Sequence, residues 1–364
     1  MTTDTQSQPI TDALQTKCKS CGGIMQYSPK DENLKCLYCG LISELDKSAA
    51  EQKGNDFKHW KKLADEESND GLMEATEIKC RQCGATTTMP PNTSGAKCAF
   101  CSTPLILDEA HVKRFWQPEY LLPFKITEKQ SGENFKKWLG KKWFTPSKLK
   151  KYGVNTDAFK GVYLPFWTYD AKTHTLYVGE RGEDRKVQSR NSKGELVERT
   201  VTDWYKTSGT VNLDFKDIVI PASESLPPTI INRLTNWDMM NSVSYQKEFL
   251  SGFVTEIYKR DFRDGVDDAK KKMKSVITDT IKADIGGDDQ RIKTQSTQYN
   301  DLMFKLLLLP VWISAFNFDG KLYQFVVNGR TGQVIGEYPK DKMKILLVVV
   351  AVIAVIAALF FLLR

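Results

Sequence analysis

All eight cysteines of the chain obey one pattern written twice. Cys18-x-x-Cys21 with Cys36-x-x-Cys39 returns as Cys80-x-x-Cys83 with Cys98-x-x-Cys101, every cysteine displaced by 62 positions. Two intervening residues let both sulfurs of a knuckle turn toward one point. Two knuckles, fourteen residues apart in each copy, complete a tetrahedral four-sulfur cage for Zn²⁺. Gly22, Gly40 and Gly84 follow three of the knuckles, where the backbone doubles back; Ser102 follows the fourth. Lys35 and Lys97, and Pro29 and Pro91, hold matching places in the two copies. The pattern reads as an internally duplicated zinc ribbon with two structural Zn²⁺ ions. Four thiolates close the coordination sphere and leave no position for a reacting water. An even cysteine count also permits disulfides. Those frameworks belong to secreted chains, and the polar stretch from Met1 to Lys17 has no apolar core of a signal peptide.

A second feature limits where such a chain can work. Ile345 to Leu363 is a run of nineteen apolar residues without charge, glycine or proline. As a helix it is roughly 28 Å long, close to the hydrocarbon thickness of a bilayer. A buried core helix would carry polar positions on one face, and this run is apolar all round. Lys340, Lys342 and Lys344 flank it on one side and Arg364 on the other. The basic flank is expected to stay in the cytoplasm, which agrees with reduced, metal-bound cysteines. The expectation is a single-pass, tail-anchored protein of the cell membrane with its N-terminal bulk in the cytoplasm.

The expected fold class is α+β: two tandem zinc ribbons, a mixed α+β body and one C-terminal transmembrane helix. The divisions are a disordered stretch over 1–15, ribbons over 16–45 and 78–107, a charged linker or helix over 46–77, a body over 111–340 in one or two lobes, and the membrane span over 345–363. Phe57, Trp60 and Leu63 mark the helical reading of the connection. In the body, Thr127 and Gln130 have capping-box spacing and predict a helix running to about Phe144, before Pro146. Extended segments are predicted over 162–171, 175–179, 185–189, 195–202 and 210–220, with Asn191-Ser192-Lys193-Gly194 as a turn. A short helix follows Pro227 and Pro228. A longer one covers 266–283, where Ala269, Met273, Val276, Ile277 and Ile281 recur at helical spacing. Strands over 306–318 and 322–327 lead through an Asn328-Gly329 turn into 333–338. Leu164-Pro165-Phe166-Trp167 is echoed by Leu309-Pro310-Val311-Trp312 and partly by Leu122-Pro123-Phe124-Lys125. Proline lacks an N–H, so each copy is expected to begin or bend an edge strand.

Catalytic signatures are missing from the sequence, and no enzyme activity is expected. His59, His111 and His174 have no nucleophile or carboxylate at a recognised spacing, and no phosphate loop or metalloprotease motif occurs. Gly286-Gly287-Asp288-Asp289 reads as a helix C-cap and turn. Charge is unevenly spread. From Lys17 to Ala110 there are 12 basic and 14 acidic residues, and from His111 to Lys160 there are 12 basic and 4 acidic. The ribbons therefore lack the basic excess expected of a module that grips phosphates. The excess lies on the predicted helix from Asn134 to Phe144. Phe135, Trp138, Leu139 and Trp143 share one face there, with Lys136, Lys137, Lys141 and Lys142 mostly opposite. The helix reads either as docked on the sheet or as a membrane-surface contact through Phe135, Lys136, Lys137, Trp138, Lys141, Lys142 and Trp143.

The ribbons, together with Leu-Leu-Pro-Phe-Lys (121–125), Lys-Lys-Trp-Phe-x-Pro-Ser-Lys-Leu (141–149), Gly-Val-Tyr-Leu-Pro-Phe-Trp-Thr-Tyr-Asp-Ala (161–171), Val-Ile-Pro-Ala-Ser (219–223), Asp-Ile-Gly-Gly-Asp-Asp-Gln-Arg-Ile (284–292) and Leu-Pro-Val-Trp (309–312), resemble bacterial membrane proteins described as containing a transcription-factor-IIB-type zinc ribbon. The resemblance covers about Thr16 to Pro339. Some members carry a primosomal or helicase label, for which this sequence has no helicase motif. The resemblance implies a membrane-associated adaptor in envelope maintenance or stress, with partners of the phage-shock-protein-A or stomatin/flotillin kind. It places the zinc ligands on the same eight cysteines and transfers no catalytic residue. The alternative function is a membrane-tethered nucleic-acid-binding or replication-associated protein.

Overall fold

The computed structural model describes residues 16–48, 53–65, 72–88, 97–105, 111–146, 159–190, 192 and 194–362. The expectations for 1–15, and for Pro91, Asn191 and Lys193, lie outside them.

The first tetracysteine unit is a three-stranded antiparallel sheet of β1 (Met25–Ser28), β2 (Asn33–Cys36) and β3 (Ile42–Ser43). After β4 (Asn55–Asp56) comes α1 (Phe57–Asp65), the helical reading of the connection. Phe57 buries its ring against Phe262 and Phe304. The second unit pairs β5 (Leu72–Lys79) with β6 (Thr86–Thr88) and also with β7 (His111–Trp116). Its sheet is therefore wider at both ends than the 78–107 expected, because residues of the charged connection and of the body extend the hairpin.

The body is mostly β-sheet. Its elements are β8 (Tyr120–Leu121), α2 (Glu128–Gly140), β9 (Lys160–Arg190), β10 (Leu196–Pro221), α3 (Pro228–Ile231), β11 (Val243–Ser244), β12 (Val254–Thr255), α4 (Phe262–Ile285), β13 (Asp289–Phe318), β14 (Lys321–Asn328) and β15 (Val334–Gly336). The central order is β10-β9-β13-β14-β15. The expected capping box at Thr127 and Gln130 starts α2. The helix ends at Gly140, short of Phe144, because the Lys141-Lys142-Trp143 run has no continuous buried face to hold another turn. The five predicted extended segments fuse into β9 and β10, two long strands of one hairpin. Helix α4 lays Val266, Ala269, Met273, Ile277, Ile281 and Ile285 along the outer part of that hairpin, while Val276 of the predicted stripe stays exposed.

The prolines stand on interior strands, not edges. Strand β9 runs between β10 and β13, and β13 between β9 and β14. At Pro165 the partner on one side changes from β10, whose last pair is Pro221 with Phe166, to β12, which pairs with Val162 and Tyr163. Pro165 O accepts Ala222 N–H, so the position of its missing N–H faces that changeover. Pro310 repeats this between β14 and β8, with Gly329 N–H donating to Pro310 O. A residue with no donor is tolerated where the ladder changes hands.

The repetition extends through the body. Leu164 and Leu309, which open the two matching motifs, face each other across the β9–β13 pair. Trp167 Nε1 donates to Arg260 O and Trp312 Nε1 to Ile126 O, both at 2.8 Å. Lys259 and Arg260 N–H groups close on Ala222 O, as Lys125 and Ile126 do on Gly329 O. A short strand, a boxed helix N-terminus, a long strand and a return strand thus occur twice, related by a local two-fold. Each half closes on the other's hairpin end. Leu122-Pro123-Phe124-Lys125 is consequently no third copy of the strand motif; it corresponds to Glu256-Ile257-Tyr258-Lys259 before the second capping box.

Around the axis the sheet is covered on both faces, which is why Leu306 to Leu309 are all buried without alternation. One face, with Leu164, Phe166, Leu307, Leu309 and Val311, packs against Phe100 of the second unit and against α3. The other, with Tyr163, Leu308, Trp312 and Phe325, packs against Met25 and Tyr27 of the first unit and against α2. Each tetracysteine unit is thus a lid on one face of the same sheet. After β15, helix α5 (Lys342–Leu362) projects with none of its residues buried.

Candidate metal centres

Four knuckles are built on one plan. The first cysteine of each accepts, through its carbonyl, a hydrogen bond from the residue after the second: Gly22 N–H to Cys18 O (2.9 Å), Gly40 to Cys36 (3.1 Å), Gly84 to Cys80 (2.8 Å) and Ser102 to Cys98 (2.9 Å). The turn requires positive φ at that residue, +71°, +74° and +72° at the three glycines and +64° at Ser102. Serine there carries a Cβ in the left-handed region, where glycine has none to strain. The last turn of the second unit is the strained one.

Within each unit the four sulfurs converge to within 4.8 Å of one another. Cys18–Cys39 and Cys21–Cys36 sulfurs are 3.6 and 3.4 Å apart, and Cys80–Cys101 and Cys83–Cys98 both 3.6 Å. A tetrahedral ion with metal–sulfur bonds of about 2.3 Å needs ligand sulfurs about 3.8 Å apart, so both cages fit such an ion. Backbone N–H groups point into them: Ser20 toward Cys18 Sγ and Phe100 toward Cys98 Sγ, each at 3.4 Å. The Cys39 backbone N–H helps hold the Cys36 thiol down to about 6. The hydrogen bond from Cys83 does most to hold Cys98 down to about 5. In each bonded pair the partner moves the other way, Cys83 pushed up by its hydrogen bond to Cys98 and Cys21 raised beside Cys36, so each metal-free pair shares one thiolate and a metal must displace the remaining protons. These two tetrads are the metal-capable groups among the described residues.

The units differ in what surrounds the cage. Each contributes its first-knuckle and third-ligand cysteines (Cys18 and Cys36; Cys80 and Cys98) to buried core, but Cys21 and Cys39 are exposed where Cys83 and Cys101 are half-buried. The first unit is seated through its hairpin: Tyr27 N–H donates to Ser251 O, Tyr27 OH to Phe124 O and Ser251 Oγ to Met25 O. The second is seated through Phe100, whose carbonyl accepts Gln324 Nε2 at 3.0 Å. It is also held through Thr86, whose N–H donates to Ser225 Oγ. Ser225 and Ser223 in turn donate to the two oxygens of Glu256 at 2.6 and 2.7 Å. Burial pushes that carboxyl up to about 7 despite both serine hydrogen bonds. Sequence reasoning missed this seat, because Thr86, the Ser223–Ser225 pair and Glu256 lie more than thirty positions from one another and form no local motif.

The histidines stand elsewhere. His174 Nδ1 meets Asn212 Oδ1 on the long hairpin, His111 reaches Glu77, and His59 is exposed on α1. The aromatic and basic helix α2 divides. Phe135 is 1% exposed and stacks on Phe325, and Trp138 is half-buried against Tyr338. These two belong to the sheet and are corrected out of a membrane-contact set, because the aromatic core takes their rings. Lys142 lies over Trp138 and Tyr338. Lys136, Lys137 and Lys141 remain exposed, as does Trp143, at 68%. Just beyond, the chain grips the apolar helix. Asp341 N–H donates to Phe144 O and Lys344 Nζ to Thr145 O, both at 2.7 Å, while Asp341 Oδ1 caps Met343 and Lys344. Helix α5 is long and apolar enough to cross a membrane.

No family model matches the chain, and no solved structure matches it either. A 232-residue stretch, 63% of this chain, is 25% identical to the uncharacterized Bacillus subtilis (strain 168) protein YdjG. The match spans 65% of that protein's length.

Proposed function

We propose that the chain is a membrane-anchored adaptor, its two tetracysteine units being zinc ribbons that present a rigid surface to protein partners. The observation that carries this reading is the way both units and the apolar helix are tied into one body. Each unit lids one face of the sheet, and Asp341 and Lys344 fasten the start of α5 to Phe144 and Thr145. Anything bound on the body is thereby held at the bilayer, with the basic flank of α5 and the reduced cysteines on the cytoplasmic side. Zn²⁺ is the ion we assign, because four thiolates in a closed tetrahedron suit it and give it no open position for chemistry. The ions hold the knuckles in shape. Envelope maintenance or stress is the proposed setting, on the strength of the family resemblance in the sequence.

A nucleic-acid role has less support, since 14 acidic residues outnumber 12 basic ones from Lys17 to Ala110. The test is to isolate the full-length protein from nuclease-treated membranes in mild detergent and identify what co-elutes by mass spectrometry. Stoichiometric membrane proteins retained after nuclease are the expected result. Replication or transcription proteins that vanish with nuclease would replace this reading with the nucleic-acid one.

A further inference from the structure

The cysteine register pairs Ile24, Leu37, Tyr38, Leu41 and Ile42 of the first unit with Thr86, Ala99, Phe100, Thr103 and Pro104 of the second. Ala99 and Phe100 are sealed inside the molecule, with Leu226, Ile230 and Ile335 in the same apolar cluster and Gln324 bonded to the Phe100 carbonyl. All five residues of the first unit are exposed, Leu37 at 60% and Tyr38 at 77%. Solvent alone would select polar residues on the bare copy. The reverse holds at two of these places: Ile24 and Leu41 stand in solvent where the second unit has the buried Thr86 and the half-buried Thr103, while Ile42, like its counterpart Pro104, is exposed. Contiguous apolar surface kept in contact with water marks a contact site. The Tyr38 ring lies close over Gly23, where a Cβ would meet its Cδ2 at 2.5 Å. Exposed Lys17 and Lys19, with no acidic partner among the described residues, flank the patch.

We propose that the outer knuckle of the first unit, centred on Leu37 and Tyr38, docks a partner protein that supplies the kind of seat Phe100 has within this chain. That seat is an apolar surface on a β-sheet with a side-chain amide aimed at a knuckle carbonyl. The two lysines add a requirement for an acidic rim. A tyrosine and a leucine beside a rigid turn form the type of compact anchor that dominates protein interfaces. The inference rests on the adaptor reading above and names the surface that recruits.

The test begins with a photo-reactive benzoyl-phenylalanine in place of Tyr38 in the full-length protein, cross-linked in native membranes. The captured protein is then purified and titrated against the full-length wild type and the triple variant Ile24→Thr, Leu37→Ala, Leu41→Thr. Each of these substitutions installs the residue that the second unit carries at the same place, so the cage should keep its metal; metal analysis at one ion per tetrad checks this. The expected result is one discrete protein adduct and binding weakened by roughly tenfold or more in the triple variant. Lys17→Glu with Lys19→Glu should slow association and reduce its salt dependence. An adduct to a second copy of the chain or to lipid, or no adduct, overturns the proposal. So does a captured partner whose affinity is the same for both proteins. If membrane partners co-elute equally with the triple variant and the wild type, the knuckle assignment fails and the adaptor reading stands. If nothing co-elutes even with the wild type, the adaptor reading falls first.

Discussion

The two tetracysteine units share ligand spacing, turn hydrogen bonds and sulfur geometry, yet one inserts its second knuckle into the molecule and the other holds it out. Phe100 is completely buried, while Tyr38 at the matching place faces solvent. The ligands determine that a knuckle forms; what the rest of the chain lays over it determines what the knuckle does. The same scaffold is an internal rivet on one face of the sheet and a free surface on the other.

Removing one ligand from each unit should separate these roles most widely. Metal binding and folding are a single event in such small units, so Cys98→Ser is expected to release Phe100 and open the face of Leu307, Leu309 and Val311 that it helps to close. Hydrogen exchange should speed up across Leu307–Ile313. Cys36→Ser is expected to unravel β1 to β3 and leave that protection largely intact. The face beneath the first unit keeps its own aromatic cover, in which Phe124 and Phe253 stack and both contact Tyr163 and Trp312. Equal loss of protection in the two variants would show that the units are energetically equivalent and end the comparison. Without touching a ligand, Phe100→Ala should cost about 3–5 kcal/mol, as large core truncations do. Tyr38→Ala should stay within about 0.5 kcal/mol, as surface changes do. Denaturant unfolding of the detergent-solubilised protein measures both.

Acidity provides a subtler separation. The seat of the second unit runs from Thr86 through Ser225 to Glu256, whereas that of the first uses backbone carbonyls, Tyr27 and Ser251. Glu256 has its folded-state carboxyl raised from 4.5 to about 7, chiefly by burial. Between those values the native state binds more protons than the unfolded one, so stability declines as pH rises through the window and the loss is complete above about 7. The full span corresponds to about 3 kcal/mol. Glu256→Gln removes the titrating proton while keeping partners for both serines. It should raise the denaturant midpoint at about pH 8 and flatten the difference between about pH 5 and about pH 8. An unchanged pH profile would remove Glu256 from the account of that seat.

Much of this architecture can be read from the chain because its signals are local. The cysteine register, the Thr127–Gln130 capping box, the α4 stripe from Ala269 to Ile281 and the apolar run of α5 each occupy a short window. What escaped is non-local. Strands β9 and β10 read as fragments because they pass from a region covered on both faces into one covered on one face by α4, so their hydrophobic period changes midway. Pro165 and Pro310 suggested edges because a missing donor normally means an edge; the changeover of partner strands that accommodates them is visible only in the sheet. The amphipathic face of α2 has the same pattern whether it meets sheet or lipid, and only the stacking of Phe135 on Phe325 decides for the sheet. Likewise the 62-residue register aligned Tyr38 with Phe100, but nothing local distinguished the bare ring from the buried one.

The smallest expected separation between the two units lies in the turns themselves. Three knuckles have glycine where φ is positive, and the fourth has Ser102 at +64°. A side chain in that region costs about 1 kcal/mol relative to glycine. Ser102→Gly should therefore stabilise the second unit by somewhat less than that, since glycine also gains freedom in the unfolded chain. Gly40→Ser at the matching turn of the first unit should destabilise by a similar amount, with nothing within 4 Å of the added Cβ to offset the strain. Zn²⁺ affinity measured by chelator competition on each full-length variant reads both changes at once. Opposite shifts of a few-fold would show that the turn, and not the burial of the neighbouring knuckle, sets this part of the cage's stability. If Ser102→Gly weakens metal binding instead, the Ser102 side chain contributes to the closed knuckle more than its strain costs. The two units would then differ inside the cage as well as around it.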